Sequence, residues 1–108
     1  MHNNRAVAAL SALANEHRLA IYRLLVQTGP QGRPAGAIAD KLDMAASSLS
    51  FHLAHLTRAG LIEQRRESRS LIYSADFEAM NGLVGFLTEN CCGGAVCAPA
   101  PNSKRKAS

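Results

Sequence analysis

Three cysteines fall within seven residues, in Cys91-Cys92-Gly93-Gly94-Ala95-Val96-Cys97, and the chain has no others. Thiolates are soft ligands and strong nucleophiles, so such a run is suited to binding a thiophilic ion or to sensing an oxidant. A disulfide between the neighbours Cys91 and Cys92 would be strained, and three thiols cannot all pair within one chain. The Gly93-Gly94 step lets Cys97 fold back towards the adjacent pair. Structural zinc takes four ligands and no fourth stands at motif spacing, so three thiolates suit an ion that prefers three sulfurs. Trivalent arsenic, held as a pyramid of three sulfurs, fits best, and antimony fits equally well chemically. The bland alternative is an incidental tail, which three cysteines in seven residues make the weaker reading.

A second constellation lies upstream. On a helix advancing about 100° per residue, Leu49, Leu53 and Leu56 share one face, while Ser47, Ser50, Phe51, Ala54 and Arg58 take the opposite one. Short hydroxyls, here Ser47, Ser48 and Ser50, let a helix enter a groove and bond phosphates or base edges, and the Phe51 ring can meet a thymine methyl. His55 flanks that face and can donate to a base or phosphate. Serines on an isolated helix are as well explained by solvation. An outward Phe51 is harder to explain that way. His52 sits at the border of the apolar face, where a hydrogen-bonded, half-buried role is expected in preference to a base contact. Further on, Arg65, Arg66 and Arg69 cluster within five residues near a turn, placed to track a backbone or enter a minor groove.

These residues need elements to position them. Val7, Leu10 and Leu13 recur at helical spacing from Asn3 to Ala14, with Asn3 or Asn4 as the cap. A second helix from Glu16 to Thr28, dense in Leu19, Ile21, Tyr22, Leu24, Leu25 and Val26, reads as the central one and ends at Gly29-Pro30-Gln31-Gly32. Pro34 opens a short third helix through Leu42, with Ile38 and Leu42 on one face. The fourth, Ala46 to Ala59, stops at Gly60. The third and fourth, joined by a tight turn, have the dimensions of a helix-turn-helix. The segments 61–66 and 71–74 are β-prone and flank Glu67-Ser68-Arg69-Ser70 as a two-stranded hairpin, too small to stand without the helices. A last helix is expected from Asp76 to Asn90. Its Phe77, Met80, Val84 and Leu87 form a seam that either the core or a second subunit must cover. Gly82 and Gly85 cost on the order of 1 kcal/mol each in a helix interior, which is better understood if another helix approaches closely.

Length and charge bound the rest. A chain of 108 residues buries one modest core. With no Trp and few other aromatics, that core must come from Leu, Ile, Val and Ala, which favours packed helices. A formal charge of +4 draws the molecule towards polyanions. No apolar run reaches the length of a signal or membrane-spanning segment, so a cytoplasmic location with reduced thiols is expected. The expected organisation is a DNA-binding and dimerisation domain over 1–90, a cysteine segment over 91–98 and a disordered basic tail over 99–108.

The sequence resembles the metal-responsive ArsR/SmtB repressors over roughly residues 6 to 90. The likeness runs through Leu13-Ala14-Asn15-Glu16-His17-Arg18-Leu19, then Leu49-Ser50-Phe51-His52-Leu53-Ala54-His55-Leu56, then Ala59-Gly60-Leu61-Ile62 and the basic hairpin. It implies a mainly α fold with a small β-hairpin, a winged helix-turn-helix homodimer paired through its first and last helices. Such a dimer blocks double-stranded operator DNA until an inducing ion releases it. Ser47, Ser50, Phe51 and His55 stand at positions similar to the family's DNA-contacting ones. The cysteines make the chain look like the arsenic-responsive branch. It departs from a well-known branch with a cysteine pair in the helix before the recognition helix, since residues 33–42 hold no Cys. The family's zinc site on the last helix is also missing, because residues 76–90 hold no His. A thiol oxidoreductase is disfavoured by the lack of a Cys-x-x-Cys pair or a Gly-rich phosphate loop, and a DNA-free metal-sequestering role by the outward face of the fourth helix. An oxidant-sensing repressor is the nearest chemical rival.

Overall fold

The computed structural model describes residues 1–94. Five α-helices and a three-stranded antiparallel sheet follow one another as α1 (Asn3–Leu13), α2 (Glu16–Thr28), β1 (Arg33–Pro34), α3 (Ala35–Leu42), α4 (Ala46–Arg58), β2 (Ile62–Glu67), β3 (Ser70–Ala75) and α5 (Phe77–Leu87). The sheet order is β1-β3-β2. A short 3₁₀ turn, Cys91–Gly94, follows α5.

The centre of the fold is α2. Its start is fixed by Asn15, whose Oδ1 accepts from the backbone N–H of His17 at 3.0 Å and of Arg18 at 3.1 Å. Ile21 and Leu25, one turn apart, are fully buried and pack with Ile38, Leu49, Leu56 and Leu61. Each such side chain contributes about 1.5–3 kcal/mol. Leu19, expected in this core, is 43% exposed, because it lies on the opposite side of α2 from Ile21.

Helix α1 turns a different face inward from the one its large residues predict. Ala6, Ala9 and Ala12 are buried, whereas Val7 and Leu10 stand largely exposed. The two stripes lie about 100° apart, and the alanine stripe allows the closer approach. The expected asparagine cap is also absent: His2 occupies the N-cap position and makes no side-chain cap bond.

The expected hairpin is joined by a third strand. Arg33 and Pro34 pair with Tyr73 and Ile72, so Pro34 ends a strand and, as the extended N-cap residue, leads directly into α3 over the expected Ala35–Leu42. Gly32 makes this possible. Its φ is +69°, and a Cβ there would collide with the Tyr73 carbonyl oxygen. Asp76 caps α5 by accepting from Ala79 N–H at 3.0 Å. That helix ends at Leu87, short of Asn90, where Thr88 Oγ1 donates back to the Val84 carbonyl at 2.8 Å and Asn90 takes a left-handed φ of 56°. Among the described residues no helix is long and apolar enough to cross a membrane.

Candidate nucleic-acid interface

Helices α3 and α4 are joined by a turn in which Asp43 is left-handed, with φ 52°, and Met44 N–H donates to the Ala39 carbonyl at 3.0 Å. This sharp turn sets α4 across the core. Leu49, Leu53 and Leu56 are buried as their spacing predicts. Ser47, Ser48, Ser50, Phe51, Ala54 and Arg58 are all exposed on the other side. Phe51 is 63% exposed, a large apolar ring held in water on a polar and basic surface. Ala45, at the N-cap position, offers no side-chain cap, so the first N–H groups of α4 face outward unpaired by side chains.

His52 is 8% exposed and belongs to the scaffold. Arg18 lies against it, with Nη1 at 3.3 Å from His52 Nδ1, while Arg18 Nε donates to the Ala12 carbonyl at 2.7 Å. A guanidinium only donates, so Nδ1 accepts and the ring is neutral with its proton on Nε2. Burial lowers the His52 pKa first, and the nearby Arg18, His17 and His55 lower it further. His55 lies half-buried on the flank, and its pKa is also lowered, by desolvation and then by Arg18 and Arg58. Arg18 thus joins α1, α2 and α4, a positioning role that helical periodicity cannot reveal.

The wing's arginines divide between two faces, because side chains alternate along a strand. Register pairs Gln64 with Tyr73 and Arg66 with Leu71, so these four share one face with the inward Ile62. Arg65 is on the other face. Its Nη2 donates to the Gln31 carbonyl at 2.7 Å, its Nη1 to the Pro30 carbonyl at 3.3 Å, and its Nε to Glu67 Oε2 at 2.7 Å. Arg65, expected as a DNA contact, also fastens the wing to the turn before β1 through three of its five N–H donors. Arg66 and Arg69 remain exposed, and Ser68 forms the tip with φ 58°.

At the far end of α5, Cys91 Sγ and Cys92 Sγ lie 3.7 Å apart on an exposed turn. Cys92 is left-handed, with φ 56°. Cys92 is disulfide-bonded in this structure, so the two sulfurs can hold one ion together only after that bond is reduced. Cys97 and the expected tail over 99–108 lie outside the described residues.

This geometry defines a winged helix-turn-helix, with α3 and α4 as the helix pair and β2–β3 as the wing. A helix-turn-helix domain model matches residues 13–65. The chain is 33% identical over 88 residues to the HTH-type transcriptional regulator YgaV of Escherichia coli K12, covering 82% of this chain and 87% of that protein. The solved structure of HlyU from Vibrio cholerae, a transcriptional activator, superposes with a TM-score of 0.65 at 33% identity over 85% of this chain and 99% of that one. A homodimeric winged helix-turn-helix domain from Mycobacterium bovis, described as a possible ArsR-family regulator, gives 0.64 at 29% identity over 85% of both chains. The chain belongs to the ArsR family of helix-turn-helix transcriptional regulators.

Proposed function

We propose that the protein is a homodimeric repressor that occupies a palindromic operator and is released when trivalent arsenic, or antimony, binds Cys91, Cys92 and Cys97. The observation that carries this reading is the Cys91–Cys92 sulfur pair, 3.7 Å apart and exposed where α5 ends, which offers two thiolates to one ion once Cys92, disulfide-bonded in this structure, is reduced. Arsenous acid exchanges its three hydroxyls for three thiolates; each thiol proton leaves with a hydroxyl as water, and no electron is transferred. Dimerisation is supported by the large apolar side chains left exposed on α1, α2 and α5: Val7, Leu10, Leu19, Val84 and Leu87. Leu13, Leu19, Val26, Met80 and Val84 also line one apolar cavity of about 320 Å³. The homodimeric relative supports the same reading.

The test is fluorescence anisotropy of a labelled operator in reducing buffer, titrated with arsenite. Wild type should release with two ions bound per dimer. Cys91→Ser, Cys92→Ser and Cys97→Ser should each repress normally yet fail to release, since two sulfurs hold the ion far less well than three. Normal release by all three variants would refute the site. Release by peroxide with no response to arsenite would assign the thiols to oxidant sensing instead.

A further inference from the structure

We propose that the cleft between α4 and the wing seats one phosphate of the operator backbone, held by Arg58, Gln64 and Tyr73. The inference rests on the DNA-binding reading above and refines it. The cleft, about 340 Å³ in volume, is lined by Ser50, Ala54, Thr57 and Arg58 from α4 and by Gln64 and Tyr73 from the wing. Ser50, Ala54 and Arg58 are four residues apart and form one stripe along the helix. Opposite that stripe, Gln64 and Tyr73 are cross-strand partners whose side chains emerge side by side.

The chemistry of the lining is that of an anion site. Arg58, Gln64, Tyr73 and Ser50 all carry donors, and no carboxylate lines the cleft. Thr57 adds no donor, because its hydroxyl already donates to the Leu53 carbonyl at 2.8 Å. Glu63 and Glu67, the wing's carboxylates nearest in sequence, fall on the opposite face of β2 by alternation. Among the described residues Arg58 forms no salt bridge, so its charge is available. Ala54 keeps the middle of the stripe small, leaving room for a tetrahedral group between helix and strand. The cleft adjoins Ser50, so a helix reading bases through Ser50 and Phe51 brings the flanking sugar-phosphate strand to this side.

The experiment scans single neutral methylphosphonates through each half-site of the operator and measures Kd by anisotropy at several salt concentrations. Tyr73→Phe should weaken wild-type binding about fivefold with an unchanged salt slope, because the lost donor is neutral. Arg58→Gln should weaken it more and reduce the slope by about one contact per protomer. At one position per half-site, methylphosphonate should penalise wild type but not the Arg58→Gln/Tyr73→Phe double variant. Thermal melts matching wild type would show that the variants fold. A methylphosphonate penalty equal in wild type and double variant at every position, or wild-type affinity for Tyr73→Phe, would overturn the seat. So would a flat scan together with competition by inorganic phosphate, beyond chloride at equal ionic strength, that vanishes in the double variant; that result would assign the cleft to a free anion. Loss of specific binding in Ser50→Ala and Phe51→Ala alongside an unaffected double variant would remove the seat and leave the DNA surface standing. Wild type that binds no duplex would instead refute the DNA-binding reading itself.

Discussion

Replacing Arg18 by Met keeps the apolar stem and removes the guanidinium that joins three helices. Two interactions are lost: a short bond to the Ala12 carbonyl, at 2.7 Å, and a longer one to His52 Nδ1, at 3.3 Å. Hydrogen bonds to charged groups contribute about 1.5–3 kcal/mol each, and the longer bond falls at the low end. The expected loss is about 3–4.5 kcal/mol, a large part of the roughly 5–15 kcal/mol that holds a domain together. Melting should fall by about 12–36 °C, read by far-ultraviolet circular dichroism at one fixed protomer concentration. The pH profile adds a second signature. The folded-state pKa of His52 is lowered from 6.5, first by burial and then by Arg18, so the unfolded chain takes up the proton first as pH falls. The stability contribution of neutral His52 is therefore fully present above 6.5 and lost as pH falls through the folded value. Without Arg18 the folded pKa rises towards 6.5, and stability should fall less steeply as pH drops below 6.5. A variant that melted within about 3 °C of wild type, with the same pH dependence, would refute the reasoning.

Two further outcomes separate roles that composition alone confuses. Arg65→Ala should weaken operator binding at every salt concentration while preserving the salt slope, because Arg65 fastens the wing through Pro30 and Gln31; Arg66→Ala should reduce the slope by about one contact per protomer, and equal slope changes would refute the division. Leu10→Glu should convert the dimer to a monomer in sedimentation equilibrium and abolish operator binding, since Leu10 is 42% exposed in the single chain; a dimer that persisted would place the interface elsewhere.

The recognition helix was the most legible part of the sequence. Leu49, Leu53 and Leu56 mark its inner face strongly enough to fix the outer one, and Gly60, at φ +79°, ends it as expected. What periodicity could not decide was which of two apolar stripes a helix turns towards its own core. On α1 the large residues Val7 and Leu10 suggested the wrong face, because a tight alanine contact displaced them. Nor could composition sort the wing's arginines. Strict alternation outward from Ile62 would have put Gln64 and Arg66 on one side and Arg65 on the other, and reading the segment only as a basic cluster discarded that signal. The strand at Arg33–Pro34 left almost no trace, since a two-residue strand has no period and Gly32 reads as an ordinary turn residue until the Tyr73 carbonyl is beside it. Arg18 is legible only in three dimensions, where residues 34 positions apart meet.

Under the function proposed here, the absence of cysteine from α3 poses no energetic obstacle to induction. Val84 and Leu87, at 54% and 58% exposure, lie on the last turns of α5, and Cys91 follows Leu87 by four residues. Fixing the thiol-bearing turn therefore constrains the same stretch that presents apolar side chains for a second subunit. A coupling of about 1–3 kcal/mol is enough to change operator affinity 5- to 150-fold. Fully covering one Val or Leu contributes about 1.5–3 kcal/mol. Altering how a single such side chain packs across the dimer is thus of the right size to re-aim two recognition helices. An ion need not sit beside α4 to release it, provided the ordered turn fits the free dimer better than the DNA-bound one.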